Sequence, residues 1–145
     1  MGYTPSTRLT TTLCGIPLRS PIFLASGTAG TLDETNDVLD TSILGGIVTK
    51  SITRHPRQGN PYPRITWTRA GMLNAIGLAN PGLDAWKSDI APNIKPTPTN
   101  FVGSVAGDSI DDYVQIASAM DAVDAMKIIE LNVSCPNVHS GLEFG

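Results

Sequence analysis

The stretch that decides the fold is KIIELNVSC, residues Lys127–Cys135, in which a short apolar run ends in small polar residues. Short, nearly continuous apolar runs are typical of strands buried on both faces, as in parallel sheets. Three earlier runs have the same form: Pro21–Ala25 before Ser26, Gly46–Thr49 before Lys50, and Asn100–Gly103 before Ser104. The sequence therefore predicts four parallel strands, each followed by polar side chains.

Helical periodicity appears between these runs. Ser109–Val123 is the clearest segment, because Ser109 is suited to cap a helix that begins with two aspartates. Its apolar residues recur at helical spacing: Ile110, Tyr113, Val114, Ala117, Met120 and Val123. Further helices are predicted over Leu32–Leu44 and Leu83–Ile90, the latter ended by Pro92. Strands that alternate with helices indicate an α/β fold with a parallel sheet.

The number of units suggests part of a barrel. An eight-stranded β/α barrel needs about 250 residues, and this chain has 145. No helix is predicted between the fourth strand and Gly145. We therefore predict the parallel (β/α)8 TIM-barrel fold, with about the first four units present. Residues 1–145 would form the N-terminal half of one domain, without a separate second domain.

The composition favours a folded domain and argues against nucleic-acid-binding, membrane-spanning and secreted proteins. The chain is 41% hydrophobic and 16% charged, which favours a folded domain, and its net charge of −3 argues against nucleic-acid binding. No apolar run approaches the roughly 18 residues of a membrane span, and the start lacks a secretory signal. The two cysteines form no CxxC pair. A reducing, cytoplasmic setting is expected.

The segment Ile52–Gly82 is rich in proline and glycine and is predicted to hold little regular structure. A connection of that length in a compact domain is usually functional. Asparagines recur beside glycine or proline or at strand ends: Asn74, Asn80, Asn132 and Asn137. Their amides suit a planar ligand with alternating carbonyl and N–H groups, although asparagine is also common in turns, which accounts well for Asn80.

In a β/α barrel the active site lies at the carboxyl ends of the strands. In this sequence those ends carry Ser26, Lys50, Ser51, Ser104 and the run Asn132–Cys135. Lys50 is the most informative, because a lysine that ends an apolar strand either reaches solvent at the rim or directs a cation into a polar pocket. The second alternative predicts an anionic or polar ligand.

Cys135 is the candidate nucleophile or base. A lone cysteine is more often a small buried apolar residue, but the end of a strand exposes the thiol to a pocket. A nearby cation such as Lys50 would raise the thiolate fraction. Cys14 precedes Gly15 in a predicted turn and is interpreted as structural.

Other chemistries are not supported. The sequence contains neither the G-x-G-x-x-G fingerprint nor a Walker A motif. His55 and His139 are single histidines without metal-ligand spacing, so no metal site is predicted. Trp67 and Trp86 are interpreted as packing residues.

Taken together, these segments resemble the dihydroorotate dehydrogenase family, in order and spacing, from about Leu13 to Gly145. The resemblance is carried by Pro21–Thr28, Thr49–Ser51, Gly59–Arg64, Gly71–Gly82, Val105–Gly107 and Glu130–Val138. The run Gly59–Arg64 and the tail Asn137–Gly145 are most similar to the soluble, NAD-linked class. That similarity implies a catalytic subunit whose electron-transfer partner carries FAD and a [2Fe–2S] cluster, and hence a homo- or hetero-oligomer.

The resemblance also implies roles for individual residues. FMN would be contacted by Ser26, Lys50, Ser51, Ser104 and Asn132. The substrate would be contacted by Lys50, Asn132 and the loop residues Asn74, Ala75, Ile76, Gly77 and Leu78. Cys135 would be the catalytic base, removing a proton from C5 of dihydroorotate while a hydride passes from C6 to N5 of FMN. The implied activity is oxidation of dihydroorotate to orotate in the de novo synthesis of UMP.

Two departures from the family pattern matter. Ser104 stands where the family usually has asparagine, so that flavin contact is altered. The family holds the FMN phosphate in late barrel loops. If these 145 residues are the whole protein, the chain is therefore expected to bind flavin weakly and not to turn over by itself. Two alternatives therefore remain: a flavoprotein like dihydropyrimidine dehydrogenase, and a non-catalytic half-barrel that pairs with itself or with another chain. The electron acceptor and the oligomeric state stay open.

Overall fold

The computed structural model describes residues 9–30, 40–94 and 97–135. Eight strands lie within these ranges: β1 (Thr11–Leu13), β2 (Ile16–Leu18), β3 (Phe23–Leu24), β4 (Gly46–Val48), β5 (Ile65–Thr68), β6 (Gly71–Asn74), β7 (Asn100–Val105) and β8 (Met126–Leu131). The two α-helices described are α1 (Gly82–Ala85) and α2 (Ile110–Asp121). All four predicted strands are present, as β3, β4, β7 and β8.

The central sheet has the strand order β3-β4-β7-β8, and every neighbouring pair is parallel. Strands therefore lie side by side in the order in which they occur along the chain, as in a β/α barrel. β7 ends at Val105, two residues later than predicted, because Val105 still pairs with Leu131 of β8. Ser104 is consequently inside a strand and not at its end.

The core has two faces, and β7 contributes to both. Phe101 and Val105 pack toward the helices with Met120. Val102 packs on the opposite face with Val48 and Ile128. Alternation of side chains along a strand directs successive residues to opposite faces, so an apolar strand such as β7 fits between two layers.

Helix α2 begins where the sequence predicts. The Ser109 hydroxyl accepts a hydrogen bond from the Asp112 backbone N–H at 3.2 Å, which caps the helix. Its buried face carries Ile116 and Met120, both fully inaccessible. Two of the apolar residues at helical spacing lie away from this face, since Ile110 is 77% and Val114 is 57% exposed.

The predicted helix Leu83–Ile90 is present as part of three consecutive helical segments of different pitch. α1 continues as a π-helical turn, Trp86–Ile90, and ends in a 3₁₀ turn, Ala91–Asn93. Pro92 lies within that last turn and does not end the helix before it, because the first residues of a helical turn need no N–H donor. Trp86 is 2% exposed, so its interpretation as a packing residue is confirmed.

The predicted helix Leu32–Leu44 falls largely on residues 31–39, outside the described residues. Its described end is a 3₁₀ turn, Thr41–Ile43, in which the Asp40 carboxylate caps the backbone N–H of Ser42. Ser42 donates both its N–H, at 3.0 Å, and its hydroxyl, at 2.6 Å, to that carboxylate. These bonds hold the pKa of Asp40 below its ordinary value.

Two antiparallel hairpins were not predicted. β1 and β2 are joined by Cys14 and Gly15, both with positive φ, which confirms Cys14 as a turn residue. β5 and β6 form a hairpin inside the long segment that was expected to lack regular structure. Both strands of this hairpin are exposed along their whole length, and Trp67 is 81% exposed, so its interpretation as a packing residue is wrong.

Replacement of Met120 by alanine should lower the free energy of unfolding by about 2–5 kcal/mol, because a fully buried methionine leaves a cavity between α2 and β7. The matched control is Met72→Ala, at a position that is 51% exposed on β6. Urea unfolding followed by circular dichroism measures both. Equal losses in the two variants would contradict the assigned core.

Candidate active site

Three serine hydroxyls meet where the parallel strands reach their carboxyl ends. The Ser51 and Ser104 oxygens are 2.8 Å apart, and the Ser26 oxygen lies 3.1 Å from Ser51 and 3.4 Å from Ser104. Ser51 is 1% exposed and Ser104 is inaccessible. The structure therefore brings together three predicted site residues that lie up to 78 positions apart in the sequence.

Glu130 of β8 completes this cluster. Its carboxylate accepts a hydrogen bond from the Ser104 hydroxyl at 3.1 Å, and the two residues are direct partners in the β7–β8 register. The Ser104 backbone N–H donates to the Thr49 hydroxyl at 3.3 Å. We call Ser26, Ser51, Ser104 and Glu130 the hydroxyl cluster.

Asn132 joins the hydroxyl cluster from the end of β8. Its side-chain N–H₂ donates to the Ser51 oxygen at 3.3 Å, and its side-chain oxygen accepts from the Ser134 N–H at 3.4 Å. The backbone of Asn132 is held on both sides, since its N–H donates to Val105 and its carbonyl accepts from the Tyr113 hydroxyl at 2.7 Å. Burial raises the pKa of Tyr113, as does nearby Asp108, against the opposing effect of the Gly107 backbone.

Lys50 and Cys135 lie close enough to interact electrostatically. Burial lowers the pKa of Lys50 from its ordinary value, and the negative charge of the Cys135 thiolate acts in the opposite direction. The Lys50 side chain passes over Gly27, where an added Cβ would stand 3.7 Å from the amine nitrogen. Of the two alternatives for Lys50, the half-buried position supports a cation held within the site.

Cys135 also contacts the long loop. The thiol-bearing side chain packs against Leu78 and Ala106, which are both buried. Leu78 has a positive φ of 58° and follows Gly77, whose φ is 72°. A Cβ on Gly77 would come within 2.7 Å of Asn60, so this tight turn requires glycine.

Asn80 fixes the return of this loop. Its side-chain oxygen accepts from the N–H groups of Thr53, at 3.1 Å, and Gly82, at 2.9 Å. Its side-chain nitrogen donates to the Leu78 carbonyl at 2.8 Å. The turn interpretation of Asn80 is confirmed, and the same contacts hold Leu78 beside Cys135.

The remaining predicted loop residues are less closely connected to the cluster. Ala75 and Ile76 contribute backbone hydrogen bonds to Arg64 and Asn60 within their own loop. Asn74 pairs with Ile65 at the end of the exposed hairpin. Of Asn74–Leu78, Leu78 is therefore the residue whose described contacts include Cys135.

Sequence reasoning missed Glu130 and Tyr113 as members of the site. Glu130 carried a usable signal, since a carboxylate inside an apolar strand must find a donor when it is half-buried. Tyr113 carried none, because its spacing is equally typical of a packing residue on α2. The described residues contain no group of three or more histidine, cysteine or acidic side chains that could hold a metal ion.

Comparison with known proteins identifies the family. Residues 8–145 match the dihydroorotate dehydrogenase family. The chain belongs to this family. It is 45% identical over 131 residues to the catalytic subunit of dihydroorotate dehydrogenase B (NAD(+)) from Bacteroides thetaiotaomicron, covering 90% of this chain and 43% of that protein. It is 46% identical over 141 residues to dihydroorotate dehydrogenase A (fumarate) from Lactiplantibacillus plantarum, covering 95% and 46%.

A solved dihydroorotate dehydrogenase from Eimeria tenella, in complex with ferulenol, matches with a TM-score of 0.68 and 21% identity, over 93% of this chain and 39% of that one. This likeness confirms the predicted barrel fold in its partial form. The chain spans less than half the length of the curated relatives it matches. No helix among the described residues is long and apolar enough to cross a membrane.

Replacement of Asn80 by alanine should lower the free energy of unfolding by about 2–4 kcal/mol, because it leaves the buried N–H groups of Thr53 and Gly82 without acceptors. Asn93→Ala is the control, since Asn93 makes a single exposed bond to Asp89. We expect that control to lose less than about 1 kcal/mol in urea unfolding. A similar loss for both variants would show that the Asn80 network does not hold the loop.

Lys50→Met should stabilise the fold at neutral pH, and this gain should shrink as the pH rises toward 10.5. Burial lowers the pKa of Lys50 in the folded chain, so between the folded and unfolded pKa values the unfolded chain binds more protons and stability rises with pH. Urea unfolding in a Cys135→Ala background isolates the burial effect. Exposed Lys127→Met is the control, and a gain that grows with pH would contradict the assignment.

Proposed function

We propose that this chain forms the catalytic part of an FMN-dependent dihydroorotate dehydrogenase, which oxidises dihydroorotate to orotate in pyrimidine biosynthesis. The observation that carries the proposal is the convergence of Lys50, Cys135 and Asn132 at one edge of the sheet, where Lys50 and Cys135 lie within electrostatic range and Asn132 bonds to Ser51. A cation, a thiol and an amide that converge at the carboxyl ends of parallel strands provide charge, a base and hydrogen bonds in one place.

The residues at this edge fit a flavin. The hydroxyls of Ser26 and Ser51 and the amide of Asn132 offer donors and acceptors for the polar edge of a planar ring. The Lys50 side chain lies against Gly27, where an added Cβ would be 3.5 Å from Cδ and 3.7 Å from the amine nitrogen. FMN, when bound, supplies the hydride acceptor for the oxidation. Ser104 is fully buried and would act on the flavin through its hydrogen bond with Ser51.

Cys135 would accept the proton from C5 of dihydroorotate. The thiolate form would be the base, and Lys50 lies within electrostatic range of this thiol. Leu78 and Ala106 cover one side of Cys135 with apolar surface, which limits the access of water. Lys50 would also attract the substrate carboxylate, and that second anion would favour the protonated amine.

The substrate would be enclosed by the loop residues Asn74, Ala75, Ile76, Gly77 and Leu78. The support for this assignment is the strained turn at Gly77 and Leu78, which the Asn80 and Asn60 contacts hold against Cys135. Backbone strain at such a position is often found where a loop must approach a ligand closely. Asn132 would hydrogen-bond both substrate and flavin.

The electron acceptor proposed here is NAD, reached through a partner subunit that carries FAD and a [2Fe–2S] cluster. Support comes from the relative in Bacteroides thetaiotaomicron, whose name describes an NAD-linked catalytic subunit. The relative in Lactiplantibacillus plantarum is named for fumarate, and its similar identity makes fumarate the second candidate. Reduction of fumarate by dihydroorotate in the absence of any partner would favour that second candidate.

The test is the visible absorbance of the purified chain after addition of FMN and desalting. We expect weakly held flavin, of which the retained fraction is bleached once by dihydroorotate without continued turnover. In Cys135→Ala this single bleaching should be slowed by about 10²–10⁴-fold, because general base catalysis typically contributes that factor. Cys14→Ala is the matched control, since Cys14 is exposed in the β1–β2 turn, and it should bleach at the rate of the unmodified chain.

Each contrary outcome has a separate meaning. Bleaching at an unchanged rate in Cys135→Ala would exclude Cys135 as the base. Bleaching by dihydrouracil in place of dihydroorotate would support the alternative like dihydropyrimidine dehydrogenase. A chain that releases all added FMN would show that these residues alone do not form the flavin site.

A further inference from the structure

The hydroxyl cluster contains a fixed direction of hydrogen bonding. Glu130 accepts a hydrogen bond from the Ser104 hydroxyl at 3.1 Å. Ser104 has one hydroxyl proton, which this bond uses. Because the Ser104 and Ser51 oxygens are only 2.8 Å apart, a proton must lie between them, and it must come from Ser51.

The same assignment of donors and acceptors determines the orientation of the Asn132 side chain. Once Ser51 donates to Ser104, its oxygen can only accept from its other neighbours. The side chain of Asn132 must then present its N–H₂ group to Ser51, as its distance of 3.3 Å allows. The orientation of an asparagine amide is determined by such a network, because its oxygen and nitrogen are otherwise nearly interchangeable in shape.

The other end of the Asn132 amide agrees with this direction. Its oxygen accepts from the Ser134 N–H at 3.4 Å, which the N–H₂ group could not do. Among the described residues, these two bonds leave one N–H and one oxygen lone pair of the Asn132 amide for a ligand. The N–H lies on the side of Ser51, and the oxygen lies on the side of Ser134. Reversal of the chain of bonds would exchange these two groups.

We infer that Glu130 is a positioning residue, which acts through Ser104 and Ser51 to determine which atom of the Asn132 amide faces the ligand. This inference deepens the proposed function, since Asn132 is the residue proposed to contact both flavin and substrate. It also gives Ser104 a role at the position where the family usually has asparagine. The short hydroxyl connects the carboxylate to Ser51.

The test uses the chain without flavin or substrate, so its outcome is independent of the catalytic proposal. Two-dimensional ¹H–¹⁵N NMR resolves the side-chain amide of Asn132, which is assigned by its loss in Asn132→Asp. Ser51→Ala removes the acceptor and defines the uncoupled position of this resonance. We expect Ser104→Ala and Glu130→Gln to move the resonance toward that position.

Two other side-chain amides of the same chain serve as references for the size of the shift. The side-chain amides of Asn80 and Asn93 make hydrogen bonds elsewhere and should shift less than that of Asn132 in all three variants. Asp121→Asn is the charge control, because it removes one exposed carboxylate at the end of α2 and should leave the Asn132 amide unmoved. A shift in Glu130→Gln without one in Ser104→Ala would show a through-space charge effect and overturn the inference.

A measurement on the unmodified chain covers the case in which a variant does not fold. Nuclear Overhauser contacts should connect the Asn132 side-chain N–H₂ protons to the Cβ protons of Ser51. Contacts from these protons to the Ser134 N–H, with none to Ser51, would mean that the amide has the opposite orientation. That result would overturn the inference without any substitution.

Discussion

The burial of β7 from Phe101 to Val105 is the constraint on which the rest of the structure depends. This strand pairs with β4 on one side and β8 on the other, and its residues from Phe101 to Val105 are buried. A polar group on such a strand cannot reach bulk water and must find its partners inside the protein. Ser104 is that group, and its hydrogen bonds extend to Glu130 in β8 and to Ser26 and Ser51, which follow β3 and β4.

The core of the fold and the polar site therefore both depend on β7. Apolar residues of β7 organise the two faces of the core, and the one hydroxyl among them organises the polar side chains above. The parallel register brings Ser51 to Asn132 across 81 positions of the sequence, and Ser104 to Glu130 across 26. A site built on strands in this way is held more rigidly than one carried by loops.

The long loop contributes a different kind of constraint. Its hairpin, β5–β6, is exposed on both faces and adds little to the core. Its return is held by Asn80, whose side chain binds backbone groups on both sides of the loop. The hairpin is therefore exposed, while the returning part of the loop keeps Leu78 in contact with Cys135. A mostly exposed segment thus contributes one buried residue to the site.

The sequence by itself determined the four parallel strands, the cap of α2 and the polar residues that follow the strands. These features depend on local propensity, periodicity and short motifs, which need no knowledge of distant contacts. Tertiary structure decided which face of α2 is buried, that Trp67 is exposed, and that Ser104 lies within a strand beside Glu130. Those outcomes depend on register and packing between segments far apart in the chain, where several arrangements satisfy the same local pattern.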